Sequence, residues 1–309
     1  ETVDLYKTVA GVDKIKDAST PFCPDGSLPF ADEEETGQLA GSACQLLVKD
    51  VWVARLARPD CSKAIGKLAT RVQKWSKNDD RRILRLTGYL QATKHYKLFC
   101  HVHDPKDKLK MMLFVDADFC GDVEDSKSTS GGYLVLVGPN TWFPLAWVSK
   151  KQTSTSRSTT EAEVIALAAS LFQEAIPMIS LWNTILGREI PLYIMEDNQA
   201  TMLVIKKGYS AKLRHITRTH KVNLGSLKEE VDKKDVFLTY VFTEFQAADI
   251  FTKELEPAKW QNAMDLLGMY TKGGLEPSPL SEKIRDQTKA SQDHAKKASA
   301  GGAAASVRT

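Results

Sequence analysis

Four acids stand where carboxylates can meet a hard metal ion: Asp116, Glu161, Asp197 and Asp249. Asp116 closes the apolar run Met111-Met112-Leu113-Phe114-Val115, and Asp197 stands just beyond Pro191-Leu192-Tyr193-Ile194-Met195. A carboxylate at the end of a buried strand costs desolvation energy unless it is paired or binds a metal. Glu161 opens a helix after the polar stretch 153–160, and Asp249 lies in the apolar context Ala248-Asp249-Ile250-Phe251. Each acid alone has a structural reading. Strand ends carry Asp as a turn former, and an acid in a first helical turn is favoured by the helix dipole. The combination says more, because two strand-terminal and two helix-borne acids could converge at one sheet end. Oxygen donors without cysteine or clustered histidine select Mg2+ or Mn2+. Two such ions roughly 3.5–4 Å apart can activate water and stabilise the leaving oxygen of an in-line phosphodiester displacement.

Further polar and charged residues surround these four in the sequence. Asp118, Asp122 and Glu163 read as solvated acids beside that site. Glu196 adjoins Asp197, and strand neighbours point to opposite faces, so it is expected to face away. Its charge would still raise the pKa of Asp197. Lys150, Lys151 and Arg157 flank a Ser/Thr run that includes Ser158, and they either grip phosphates or form an exposed basic loop. Asn198 and Gln199 would contact sugar or bases, or cap a helix. His215 and His220 lie five apart in a basic stretch, and His215 would serve substrate handling or plain structure.

The elements that must position these groups are legible as patterns. Strands are predicted at 98–100, 111–115, 133–137 (after a Gly131-Gly132 turn), 145–148, 191–195 and 236–241. Helices are expected over about 160–186, with Pro177 kinking or ending the first, then at 199–206, 217–231 and from 248 to 267. Strand and helix order suggests an α/β fold: a mixed five-stranded sheet with an antiparallel hairpin half and a crossover half, flanked by helices. Ahead of it, apolar residues at helical spacing predict a small subdomain of three helices over 36–97, while residues 1–35 read as a weakly structured linker. The sheet domain is then 98–272, and 273–309, rich in Ala, Ser, Lys and Gly, reads as a disordered tail.

Composition sets outer bounds. The 309 residues are 42% hydrophobic and 26% charged, with a net charge of +3, too weakly basic to argue for nucleic acid alone. Five scattered cysteines lack zinc-knuckle spacing, and their odd count argues against a disulfide framework and favours a reducing compartment. No apolar run approaches the ~20 residues of a membrane helix, so no membrane partner is expected. The polar opening Glu1-Thr2-Val3-Asp4 argues against a signal peptide and secretion, and the missing initial Met suggests a processed product or a piece of a longer polypeptide. No Tyr-x-Asp-Asp motif of a polymerase is present.

Ordered motifs add a resemblance. Asp116-Ala117-Asp118-Phe119-Cys120-Gly121-Asp122 is followed by Ser128-Thr129-Ser130-Gly131-Gly132-Tyr133, then Trp147-Val148-Ser149-Lys150-Lys151-Gln152 and Ser158-Thr159-Thr160-Glu161-Ala162-Glu163. Asp197-Asn198-Gln199-Ala200, His215-Ile216 with His220, and Ala248-Asp249-Ile250-Phe251-Thr252-Lys253 complete the series. The series resembles the RNase H domain of copia-type retrotransposons. Upstream, Arg58-Pro59-Asp60 and Arg82-Ile83-Leu84-Arg85-Leu86 resemble the segment linking reverse transcriptase to that domain. The resemblance spans roughly residues 36–269 and implies that Asp116, Glu161, Asp197 and Asp249 hold two divalent ions. It further implies cleavage of the RNA strand of an RNA–DNA hybrid, with the reverse transcriptase portion of the same polyprotein as partner, in a cytoplasmic virus-like particle or the nucleus. A catalytically inactive nucleic-acid-binding remnant of the same fold is the alternative, and the presence of all four acids argues against it. Where the family usually has Asp after His-Ile, this chain has Thr217, and no histidine precedes Asp249.

Overall fold

The computed structural model describes residues 1–24, 27–28, 35–121 and 125–271. Asp122 and the expected tail at 273–309 lie outside the described residues.

The centre is a five-stranded mixed sheet built from apolar runs. β2 (Lys110–Asp118), β3 (Thr129–Gly138) and β4 (Thr141–Lys151) form an antiparallel meander. β5 (Leu192–Glu196) and β6 (Val236–Tyr240) add in parallel on the other side, giving the order β4-β3-β2-β5-β6. β2 and β3 are almost entirely buried, as continuous apolar strands covered on both faces must be. The strands expected at 111–115, 133–137, 145–148, 191–195 and 236–241 all coincide with these five. The short strand near Leu98 is β1 (Lys97–Leu98), which leaves the main sheet to pair with β7 (Met269–Tyr270).

Each face of the sheet carries its own core. On one, Met111, Leu113, Val115 and Ile194 meet α5 (Thr159–Ser170), α6 (Ile176–Leu186), α7 (Gln199–Lys207), α8 (Ile216–Thr219) and α9 (Leu224–Val231). On the other, Met112, Phe114, Tyr133 and Val135 meet α1 (Thr2–Ala10), α2 (Ala43–Leu56), α3 (Ser62–Ala69), α4 (Lys77–Ala92), α10 (Asp249–Thr252) and α11 (Pro257–Leu267). The three helices expected over 36–97 are α2, α3 and α4, and they share one continuous core with the sheet. Trp147 Nε1 donates to the Ala54 carbonyl at 2.9 Å, stitching α2 to β4.

Two sequence readings change here. Residues 2–10 form α1, and Tyr6, Ile15, Ala18 and Phe22 are buried, although the segment reads as a linker. Single apolar side chains spaced through polar sequence leave no periodic signal, yet together they strap α4. Gln91 Nε2 donates to the Ile15 carbonyl at 3.0 Å, and Phe22 meets the Trp260 ring edge-on at 5.9 Å. Gly131-Gly132 is a buried stretch of β3 and makes no turn. A Cβ at 131 would lie 2.6 Å from Thr252 Cγ2, and one at 132 would lie 2.3 Å from Ser170 Oγ. The two glycines thus admit α10 on one face and α5 on the other.

The expected long helix runs from Thr159 to Leu186, with a five-residue π turn, Leu171–Ala175, between α5 and α6. Pro177 follows that turn without ending the helix. A proline ring clashes with the carbonyl four residues back and offers no N–H, and the widened turn relieves both demands. By length and composition this helix would suffice to cross a membrane, against the sequence reading that no apolar run does so. In this fold α5 is buried against β2 and β3. The helix expected over 217–231 is interrupted: α8 stops at Thr219, Lys221 adopts φ 60°, and Asn223 caps α9 through the Gly225 amide at 2.8 Å.

Candidate metal centre

The parallel register of β2 and β5 brings their C-terminal ends side by side, Phe114 opposite Met195. Asp116 and Asp197 therefore emerge at the same edge, as expected from their strand-terminal positions. The third acid is Glu163. Carboxylate oxygens of Asp116, Glu163 and Asp197 all lie within 4.8 Å of one another. This corrects the expectation that Glu163 is a solvated helix residue, for it is 4% exposed.

Glu161, which the sequence placed in the cluster, is not among those three. The two glutamates are two residues apart on α5, and residues at that spacing do not share a helix face. Glu163 shares its stripe with Ser170, seven residues on, which sits over Gly132. Glu161 is buried elsewhere: its Oε2 accepts from the Arg157 amide at 3.1 Å and its Oε1 meets His215 Nε2 at 2.9 Å.

Asp249 adjoins the cluster through a cation. Lys253 Nζ lies 2.6 Å from Asp249 Oδ1 and 3.3 Å from Asp116 Oδ1. The spacing of four residues puts Lys253 and Asp249 on one helical edge. Thr252 Oγ1 donates to Asp116 Oδ2, so α10 is tied to the end of β2. Gln246 fixes the approach of α10: its Nε2 donates to the Val115 carbonyl at 2.8 Å, and its Oε1 accepts from the Ala248 amide at 3.3 Å. Thr243 Oγ1 donates to Asp197 Oδ2 at 3.0 Å.

Glu196, the strand neighbour of Asp197, ends β5. It is fully buried and accepts from the Asn198 amide at 3.1 Å through Oε1. After burial itself, Glu196 is the largest influence holding the Glu163 carboxyl far above the usual carboxylate range, ahead of Asp116 and Asp197. Glu196 is raised likewise, by burial first and then by Asp197 and Asp116. Asp197 is raised by burial and by Asp116. Asp249 is pushed up to about 6 by burial and Asp116, against the pull of Lys253. Burial pulls the Lys253 ammonium down, but Asp116 and Asp249 outweigh it and hold it above the ordinary lysine value.

Buried polar atoms in native proteins are nearly always partnered. Glu163 Oε2 and Glu196 Oε2 have no hydrogen-bond partner. Orphaned buried carboxylate oxygens, an all-oxygen donor set and a lysine ammonium already lodged between Asp116 and Asp249 fit a site for a hard divalent cation.

The remaining expected contacts divide. Ser158 caps α5, its Oγ accepting from the Glu161 amide at 3.2 Å, and Asn198 caps α7, its Oδ1 accepting from the Thr201 amide at 3.1 Å. Lys151 pairs with Asp125 at 3.0 Å. Gln199 is exposed at the start of α7, two residues after Asp197. His215 is held by Glu161.

No family model matches the chain. It is 26% identical over 262 residues to the retrovirus-related Pol polyprotein from transposon RE1 of Arabidopsis thaliana, covering 82% of this chain and 16% of the relative. It is 27% identical over 245 residues to the corresponding polyprotein from transposon TNT 1-94 of Nicotiana tabacum, covering 77% of this chain and 17% of the relative. The chain thus spans about a sixth of the length of these curated relatives. Among solved structures, LC11-RNase H1 isolated from compost aligns with a TM-score of 0.33 and 15% identity, over 46% of this chain and 92% of its own.

Proposed function

We propose, from the premise that this chain belongs to the copia-type retrotransposon Pol family, that it is a metal-dependent endonuclease cutting the RNA strand of RNA–DNA hybrids. The observation that carries the reading is the convergence of Asp116, Glu163 and Asp197 with orphaned carboxylate oxygen at one end of a mixed sheet. Asp116, Glu163, Asp197 and Asp249 would hold Mg2+ or Mn2+, two ions in the full site. Such ions, when bound, lower the pKa of water and stabilise the leaving oxygen of a phosphodiester.

The chain's own residues set the stage for that chemistry. Lys253 neutralises Asp116 and Asp249 and must share or surrender them as a divalent cation enters. Thr252 and Thr243 hold one oxygen each of Asp116 and Asp197, which leaves their other oxygens to turn toward the cation. Gln199 offers an exposed amide close in sequence to Asp197 for the sugar or a base of the substrate strand. Discrimination of RNA would rest on its 2′-hydroxyl, and affinity on phosphate contacts that weaken with salt. The helices over 43–92 share the sheet's core, so the reverse transcriptase portion of the polyprotein would dock through that layer.

Cleavage of a labelled RNA–DNA hybrid with and without Mg2+ tests the proposal. Mg2+-dependent cutting of the RNA strand is expected, with Asp116→Asn and Asp197→Asn each lowering the rate by roughly three orders of magnitude or more. Undiminished cleavage in both variants would sink the site assignment, and cutting of double-stranded or junction DNA in preference to hybrid would sink the substrate.

A further inference from the structure

Away from the carboxylate cluster, a second group of metal-type side chains converges. Glu161 Oε1 lies 2.9 Å from His215 Nε2 and 3.9 Å from His220 Nε2. The glutamate side chain is 1% exposed and that of His220 2%, while His215 is 23% exposed. Ordinary hydrogen bonding explains only part of this. Glu161 is satisfied by the Arg157 amide and by His215. His220 Nε2 is buried, aimed at the same oxygen, and has no hydrogen-bond partner. At 3.9 Å it is beyond hydrogen-bond reach, and a buried polar atom left in that state needs an explanation.

Local geometry places the two imidazoles around one oxygen. His215 and His220 bracket the single turn of α8 as its two flanking residues, with four residues between them. That spacing lies within the three to five intervening residues common between paired zinc histidines.

We propose that Glu161, His215 and His220 form a second cation site, of the two-histidine, one-carboxylate type, selective for Zn2+ or a related first-row transition ion. Imidazole donors suit such ions, whereas the all-oxygen cluster at Asp116 suits Mg2+ or Mn2+. An ion there would give His220 the partner it lacks and draw both rings onto the glutamate. The partly exposed edge of His215 leaves an entry path, and a water would be the fourth ligand. Glu161 lies two residues before Glu163 on α5, so the ion would pin α8 to the first turn of the helix that carries the cluster's acid. The inference is independent of the nuclease reading, since it requires binding only.

Cobalt(II) reports such a site through its visible ligand-field bands. The untagged full chain carrying Asp116→Asn and Asp197→Asn, which disable the carboxylate cluster, is titrated with Co2+ and then with competing Zn2+. One Co2+ should bind with the spectrum of nitrogen and oxygen ligation at low coordination number, and Zn2+ should displace it. His215→Ala should weaken binding beyond the roughly 10–100-fold that loss of a mere outer partner costs. Glu161→Gln and His220→Gln should do the same. Partly exposed His215 is the variant least able to disturb the fold, and circular dichroism verifies that it has not. Absence of Co2+ binding overturns the proposal, as does Co2+ binding that His215→Ala leaves unchanged.

Discussion

Two buried charge networks in this molecule are solved in opposite ways. In the helical layer, fully buried Asp60 receives Arg58 Nη2 at 2.7 Å and the Tyr89 hydroxyl at 2.7 Å. Buried Asp79 likewise takes Arg71 Nε and Arg82 Nη1, both at 2.7 Å, with the Ser76 amide completing the capping box of α4. Among the described residues at the sheet end, Lys253 pairs with Asp116 and Asp249, while Glu163 and Glu196 each keep a buried carboxylate oxygen with no hydrogen-bond partner. The first arrangement is finished without help and serves the fold. The second is finished only by something added, and incompleteness of that kind is what marks a site.

The widest separation between the regions should appear on α5. Glu163→Gln should cut hybrid cleavage by roughly three orders of magnitude, while Glu161→Gln should leave cleavage within about tenfold of the parent. Equal losses in steady-state rates for the two would dissolve the assignment of Glu163 over Glu161. Next in size, Asp60→Ala should destabilise the fold by about 3–5 kcal/mol in urea, because Arg58 is left buried and unpaired. Glu163→Gln in the metal-free chain should raise the melting temperature near neutral pH, since the folded state no longer has to keep that buried carboxyl protonated. Matching signs for Asp60→Ala and Glu163→Gln would erase the contrast.

Titration should separate the regions more finely. A carboxyl raised in the folded state holds a proton that the unfolded chain has lost. Its contribution to stability is complete below the ordinary carboxylate pKa and is lost as pH rises through the folded value. Metal-free protein should therefore lose stability from about pH 4 upward, through the Asp249 value of about 6 and the Asp50 value of about 7. Mg2+ should flatten the part due to Asp249. Asp50 is raised by burial alone on α2, so its part should persist with Mg2+ and vanish in Asp50→Asn. That variant should gain about 1–3 kcal/mol at pH 8 and nothing at pH 4. Melting curves across pH with and without Mg2+ check both statements, and a slope that Asp50→Asn leaves intact refutes the second.

Much of the fold was legible in the sequence because its strands are continuous apolar runs. Asp116 and Asp197 were legible for the same reason, as charges ending such runs. Glu163 was not, because a first-turn acid such as Glu161 has an obvious electrostatic rationale that draws attention to the wrong residue. A signal was present: Glu163, Ala166 and Ser170 recur at helical spacing on one stripe, and Ala166 packs with Ala117 of β2. The Gly131-Gly132 pair looked like a turn because sequence alone does not reveal what passes close on either face. The N-terminal strap stayed hidden because its anchors have no common period.

The π turn at Leu171–Ala175 carries one more consequence. An extra residue in a single turn advances everything downstream by about 100° around the axis. The same continuous rod therefore presents two unrelated faces: upstream it is buried nearly all round, and downstream Leu181 and Ile185 point outward, each 53% exposed. Removing one residue there would leave both the rod and the strands in register while turning its outer half like a dial. Azimuth along this helix is thus set by a local insertion and can change without touching the acids it carries.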